Sequence, residues 1–136
     1  MVEIKIAYEG QLRCKAVHGP SGQTLLTDAP TDNMGKGEFF SPTDLVAAAM
    51  GTCMLTVMGI VANRHKIDMT GSTATVVKEM AAAPARRIGT LKVAITVPTD
   101  LTDEQKKILE NAAMACPVHK SISHEVNIPV EFKWAK

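Results

Sequence analysis

Cys53 sits in the middle of an uncharged run, Leu45 to Ala62 (LVAAAMGTCMLTVMGIVA). A second thiol, Cys116, opens the stretch Cys116-Pro117-Val118-His119 at what reads as a helix start. A thiolate is a nucleophile, a metal ligand and a source of two electrons. Two thiols at special places on two helices point to thiol redox chemistry. The plainer alternative at each place is an inert thiol, because free cysteine packs as a small hydrophobe.

Each candidate carries its own requirement. Burial alone raises a thiol pKa, so Cys53 needs a polar or cationic neighbour to ionise. Arg13, Arg86 or Arg87 could supply that charge. Cys116 at a helix cap would face free backbone N–H groups and the positive dipole end, which favour thiolate. His119 follows three residues on. By this local argument Cys116 is the more acidic thiol. Cys14 shares a strand face with Leu12 and Ala16 and reads as core packing. Cys116, His119 and His124 are metal-ligand types, but no second clustered pair completes a tetrahedral set, so no metal is expected. His18 and His65 read as solvated. Glu38 lies in a glycine-rich loop and could orient an arginine, though plain surface is the simpler reading. No phosphate-binding loop, dinucleotide fingerprint or nucleophile elbow is present.

These residues need a scaffold, and the chain of 136 residues is long enough for one domain, 1–136, with its own core. The formal net charge of +1 gives no electrostatic footprint for nucleic acid. Aromatics at 4% leave few stacking platforms for bases. Three scattered cysteines do not make a secreted disulfide framework, so a reducing cytoplasm is expected. The charged, alternating start MVEIKIAYEG reads as a strand and not a signal peptide. The run 45–62 reaches the lower edge of membrane-span length. Its glycines, threonines and alanines keep its hydrophobicity modest, so a central helix is expected and no membrane partner. A chain this small cannot easily cover such a helix on every face, which suggests a homodimer.

Residues 2–8, 11–16 and 23–27 read as three strands, and 28–40 as loop. Ser41 is a good N-cap, Pro42 suits the first helical position and Asp44 follows three residues after the cap. That helix can run to Arg64. Strands follow at 70–80 and 90–97. Thr102 to Gln105 is a capping box for a second helix, with Ile108, Ala112 and Cys116 on one stripe. Pro117 can begin a short third helix with Cys116 as its cap. Residues 126–134 read as the last strand. The order is βββ-α-ββ-α-α-β, an α+β class with mostly antiparallel strands.

The stretch from Ser41-Pro42-Thr43-Asp44-Leu45 through Gly51-Thr52-Cys53, with Ala115-Cys116-Pro117-Val118, resembles the OsmC/Ohr family of thiol-dependent hydroperoxide reductases. The resemblance covers essentially the whole chain. It implies an intertwined homodimer with two long central helices and shared antiparallel sheets. It implies that Cys53 attacks a hydroperoxide and that Cys116 resolves the product as a disulfide. No bound cofactor is implied, only an external dithiol electron donor and a role in oxidative stress defence. Arg13 is the nearest match to the family's arginine. The family's helix-start glutamate has no match, because Thr43 stands at its place and the acid is Asp44. A one-residue shift turns a helical side chain by about 100°. Asp44 and Glu38 are the possible supporting acids. The alternative is an OsmC-like dimer that binds a ligand and has little peroxidase activity.

Overall fold

The computed structural model describes residues 1–135. Internal contacts divide the chain into two compact units, Met1–Val46 and the remainder from Ala47.

The first unit is a three-stranded antiparallel sheet in the order β1-β2-β3, made of β1 (Ile4–Gly10), β2 (Arg13–His18) and β3 (Thr24–Asp28). The β1–β2 turn uses left-handed backbone at Gly10, Gln11 and Leu12. Leu12 therefore belongs to the turn and not to the strand face expected for it. Cys14 is half-buried and not a core residue. β3 ends one residue later than expected, at Asp28, and that residue is buried. Within this unit Ile4, Ile6 and Tyr8 stay exposed.

Helix α1 (Pro42–Arg64) starts where its cap chemistry says it should. The Ser41 N–H donates to Asp44 Oδ2 at 2.9 Å, and the Asp44 N–H donates to Ser41 Oγ at 3.1 Å. This reciprocal pair satisfies backbone donors that the first turn leaves free. By length and composition α1 is the one helix among the described residues able to cross a membrane, with mean hydropathy 2.1. Its burial is one-sided within this chain. Ala47, Met50, Gly51, Met54, Met58 and Ala62 are buried at spacings of three and four, whereas Ile60 is 48% exposed.

The second unit holds the sheet β4-β5-β6, from β4 (Thr73–Ala81), β5 (Arg87–Val97) and β6 (Val130–Trp134). β4 pairs antiparallel with β5, and β6 pairs parallel to β5. The parallel pairing requires a crossover, supplied by α2 (Asp103–Met114) and α3 (Pro117–Ser121). Leu91, Val93, Ile95 and Val97 alternate along β5 and are all buried. Gly51 lets α1 approach this sheet closely, since a Cβ there would lie 2.9 Å from Val76 Cγ2. Thr102 caps α2 with the expected box, in which Gln105 answers through both backbone and side chain. The buried stripe of α2 is Leu109, Ala112 and Ala113. Ala112 and Cys116 of the expected stripe are buried, whereas Ile108 is only half-buried and Leu109 takes the buried place in that turn.

Truncating Met54 to alanine removes a fully buried side chain from the middle of the α1 stripe. The expected cost is about 2–5 kcal/mol of unfolding free energy. Equilibrium denaturation measures it, and a loss below about 1 kcal/mol would show that this stripe is not a packed core.

Candidate functional site

Cys53 and Cys116 belong to the same unit and meet there. Cys53 lies on α1 between Met50 and Met54, at the flank of the buried stripe, and is half-buried. Cys116 caps α3, is fully buried, and accepts the His119 N–H at Sγ over 3.4 Å. The His119 contribution is thus its backbone N–H. The side chains of Cys53 and Cys116 are within hydrogen-bonding reach of each other, and neither is in a disulfide.

The environment pushes the Cys116 thiol above the ordinary thiol range. Burial is the largest cause, because the thiolate would lose its water. A hydrogen bond with the Cys53 side chain, which favours the protonated sulfur, comes next. The N–H groups of His119 and Val118 pull the other way, and the charge of an ionised Cys53 adds a further upward push. The helix-cap expectation of an acidic Cys116 is therefore corrected. The cap dipole is present, but burial and the neighbouring sulfur outweigh it. Cys116 is a thiol held protonated beside a more accessible thiol.

A second cluster forms in the first unit around Arg13. Its Nη2 is 2.8 Å from Glu38 Oε1 and 3.7 Å from Asp28 Oδ2. The guanidinium also stands over the Phe39 ring, 5.1 Å from the centroid. Arg13 and Asp28 face each other in the β2–β3 register, so the strands themselves bring them together. The loop that carries Glu38 folds back on β3. The Gly35 N–H donates to the Pro30 carbonyl and the Gly37 N–H to the Ala29 carbonyl. A Cβ at Gly35 would overlap the Ala29 carbonyl, so only glycine fits this approach. The Glu38 N–H then donates to Asp28 Oδ2 at 3.2 Å.

The structure thus brings Cys53 to Cys116 in one unit and Arg13 to Glu38 in the other. Glu38 is an ion-pair partner of Arg13, which corrects its reading as plain surface. Asp44 serves the α1 cap through the Ser41 backbone. Arg86 lies in the β4–β5 connection, and Arg87 begins β5 with Nη1 donating to the Ile88 carbonyl. Asp28 was missed by sequence reasoning. Its signal is a lone acid at a strand end, which becomes meaningful only once the pairing register is known. Among the described residues no group of three or more His, Cys, Asp or Glu side chains could hold a metal ion.

Two adjoining cysteines, one in a long helix and one at a helix cap, within a two-sheet α+β fold, define a two-cysteine class of protein. The OsmC-like protein family profile matches residues 35–131. The chain belongs to the OsmC-like protein family. It is 47% identical to a Psychrobacter arcticus protein provisionally assigned to osmotic stress induction and detoxification response. That match has a TM-score of 0.92 and covers 97% of this chain and 96% of the other. An organic hydroperoxide resistance protein OsmC from Legionella pneumophila shares the fold at 18% identity, with TM-score 0.79 and coverage of 98% and 96%. An OsmC-like protein from Mycoplasma pneumoniae does so at 12% identity, with TM-score 0.83 and coverage of 100% and 98%. No curated protein matches the chain.

The two thiols should differ in reactivity. Brief labelling of the reduced protein with iodoacetamide near neutral pH, followed by peptide mass analysis, should modify Cys53 before Cys116. Faster labelling of Cys116 would contradict its burial and its raised pKa. The same shift has a sign in stability. An unfolded thiol loses its proton near pH 8.5, before folded Cys116 does. The Cys116 contribution to stability is therefore intact below that pH and is lost as pH rises through the folded value.

Proposed function

We propose that this protein is a cysteine-based hydroperoxide reductase acting in oxidative stress defence, with Cys53 as the attacking thiol and Cys116 as the resolving thiol. The observation that carries the reading is the pair itself: a half-buried sulfur beside a fully buried one that stays protonated. Family membership, and relatives described as hydroperoxide resistance proteins, support the substrate class.

The Cys53 thiolate attacks the distal peroxide oxygen and the O–O bond breaks. The leaving alkoxide takes a proton and becomes an alcohol, or water from hydrogen peroxide. Cys53 is left as a sulfenic acid. The Cys116 sulfur then bonds to the Cys53 sulfur. Its proton leaves with the sulfenic hydroxyl as water, and a disulfide results. An external dithiol returns two electrons and two protons and itself becomes a disulfide. A Cys116 held as thiol until this step cannot compete for the peroxide. In this scheme Arg13 favours the thiolate and the departing oxyanion. No bound cofactor or metal takes part.

The acting form is a homodimer in the cytoplasm. Its support is the apolar surface one chain leaves open, at Ile4, Ile6 and Tyr8 in the first unit and at Ile60 on α1. A non-catalytic, ligand-binding dimer is the second reading. It is favoured by Thr43 at the family's acid position and by the engagement of Asp44, one residue on, in the helix cap.

Titration of the reduced protein with hydrogen peroxide and with a bulky organic hydroperoxide decides between the two. Wild type should consume one equivalent per chain and lose two thiols. Cys53→Ser should consume none, because a hydroxyl is not ionised near neutral pH. Cys116→Ser should consume one equivalent and leave a trappable sulfenic acid. A fully reduced wild type that consumes neither peroxide establishes the binding reading. Loss of the first reaction in Cys116→Ser, with its retention in Cys53→Ser, reverses the two roles.

A further inference from the structure

We infer that Asp28 is the positioning residue for Arg13, the group that fixes the guanidinium on the sheet while Glu38 only adds an exposed contact. The inference rests on the reading that Arg13 serves the peroxide step.

Asp28 is 1% exposed, yet its side chain is incompletely satisfied. Oδ2 accepts the Glu38 N–H and faces Arg13 Nη2. Oδ1 is buried and has no hydrogen-bond partner among the described residues. A buried carboxylate with an open acceptor is unfavourable as plain structure. An amide oxygen would accept the Glu38 N–H equally well. What the carboxylate adds is charge beside a guanidinium.

The two acids differ in what they can hold. Glu38 has the shorter contact, but its side chain is 51% exposed and reaches Arg13 from a loop. An exposed pair of this kind constrains little, because water and side-chain freedom compete with it. Asp28 stands directly across from Arg13 on the neighbouring strand, in a rigid ladder. Its charge is shielded from water, so its pull on the guanidinium is stronger per unit distance. Asp28 also fixes the loop end through the Glu38 N–H, so one carboxylate orders both partners of the second.

The test combines a mutant cycle with a direct view of the guanidinium. Peroxide-reduction kinetics are measured for wild type, Asp28→Asn, Arg13→Ala and the double variant. Asp28→Asn should lower kcat/KM about tenfold in the wild-type background and change it less than about twofold in the Arg13→Ala background. An equal loss in both backgrounds marks Asp28 as merely structural and overturns the inference. Nitrogen NMR of the Arg13 side chain gives a readout that needs no peroxidase activity and no Asp28 variant. The signal should stay motionally restricted in Glu38→Gln. If Glu38→Gln frees it, Glu38 holds the arginine and the inference fails. A wild type without peroxidase activity removes the peroxide reading alone, and the NMR result then decides whether Asp28 positions Arg13.

Discussion

The Met50, Met54, Met58 and Ala62 stripe fixes the rotation of α1, and the placement of the Cys53 sulfur follows from that rotation. Cys53 comes three residues after Met50 and one before Met54, which sets it at the edge of the buried stripe. A sulfur inside the stripe would be sealed. One on the opposite face would be far from α3. The edge position leaves Cys53 half-buried and within reach of Cys116. Gly51 contributes by letting the helix sit close to β4.

Cys116 shows how a local electrostatic rule loses to its surroundings. The cap of α3 does present N–H groups to the sulfur. In water those donors would make the thiol more acidic. Here burial and the adjacent Cys53 sulfur act in the opposite sense and win. The result suits a resolving thiol, which must wait for its partner to be oxidised. Arg13 illustrates the complementary case, a cation divided between a buried and an exposed carboxylate.

The features legible in the sequence are those whose chemistry is local. Ser41-Pro42 with Asp44, Thr102 with Gln105, and Cys116-Pro117 announce three helix starts, because capping involves residues only a few positions apart. The alternation of β5 was equally plain. Features that depend on pairing were not legible. Asp28 matters because β2 and β3 pair in one register, and no residue near Asp28 in the chain reveals it. The Glu38 contact depends on a loop that folds back through Gly35. The sign of the Cys116 shift depends on burial by distant segments, which a cap motif does not encode. Leu12 lies outside the strand because Gly10 to Leu12 adopt a left-handed turn where the alternation suggests strand.

The central claim is that Cys53 and Cys116 form one two-electron redox pair. Its most direct measurement is peptide mass mapping under non-reducing conditions after one equivalent of organic hydroperoxide per chain. The account predicts a single intrachain Cys53–Cys116 disulfide, with Cys14 still a free thiol. Cys53 recovered as a stable sulfenic or sulfinic acid beside a free Cys116, or a disulfide through Cys14, would contradict it.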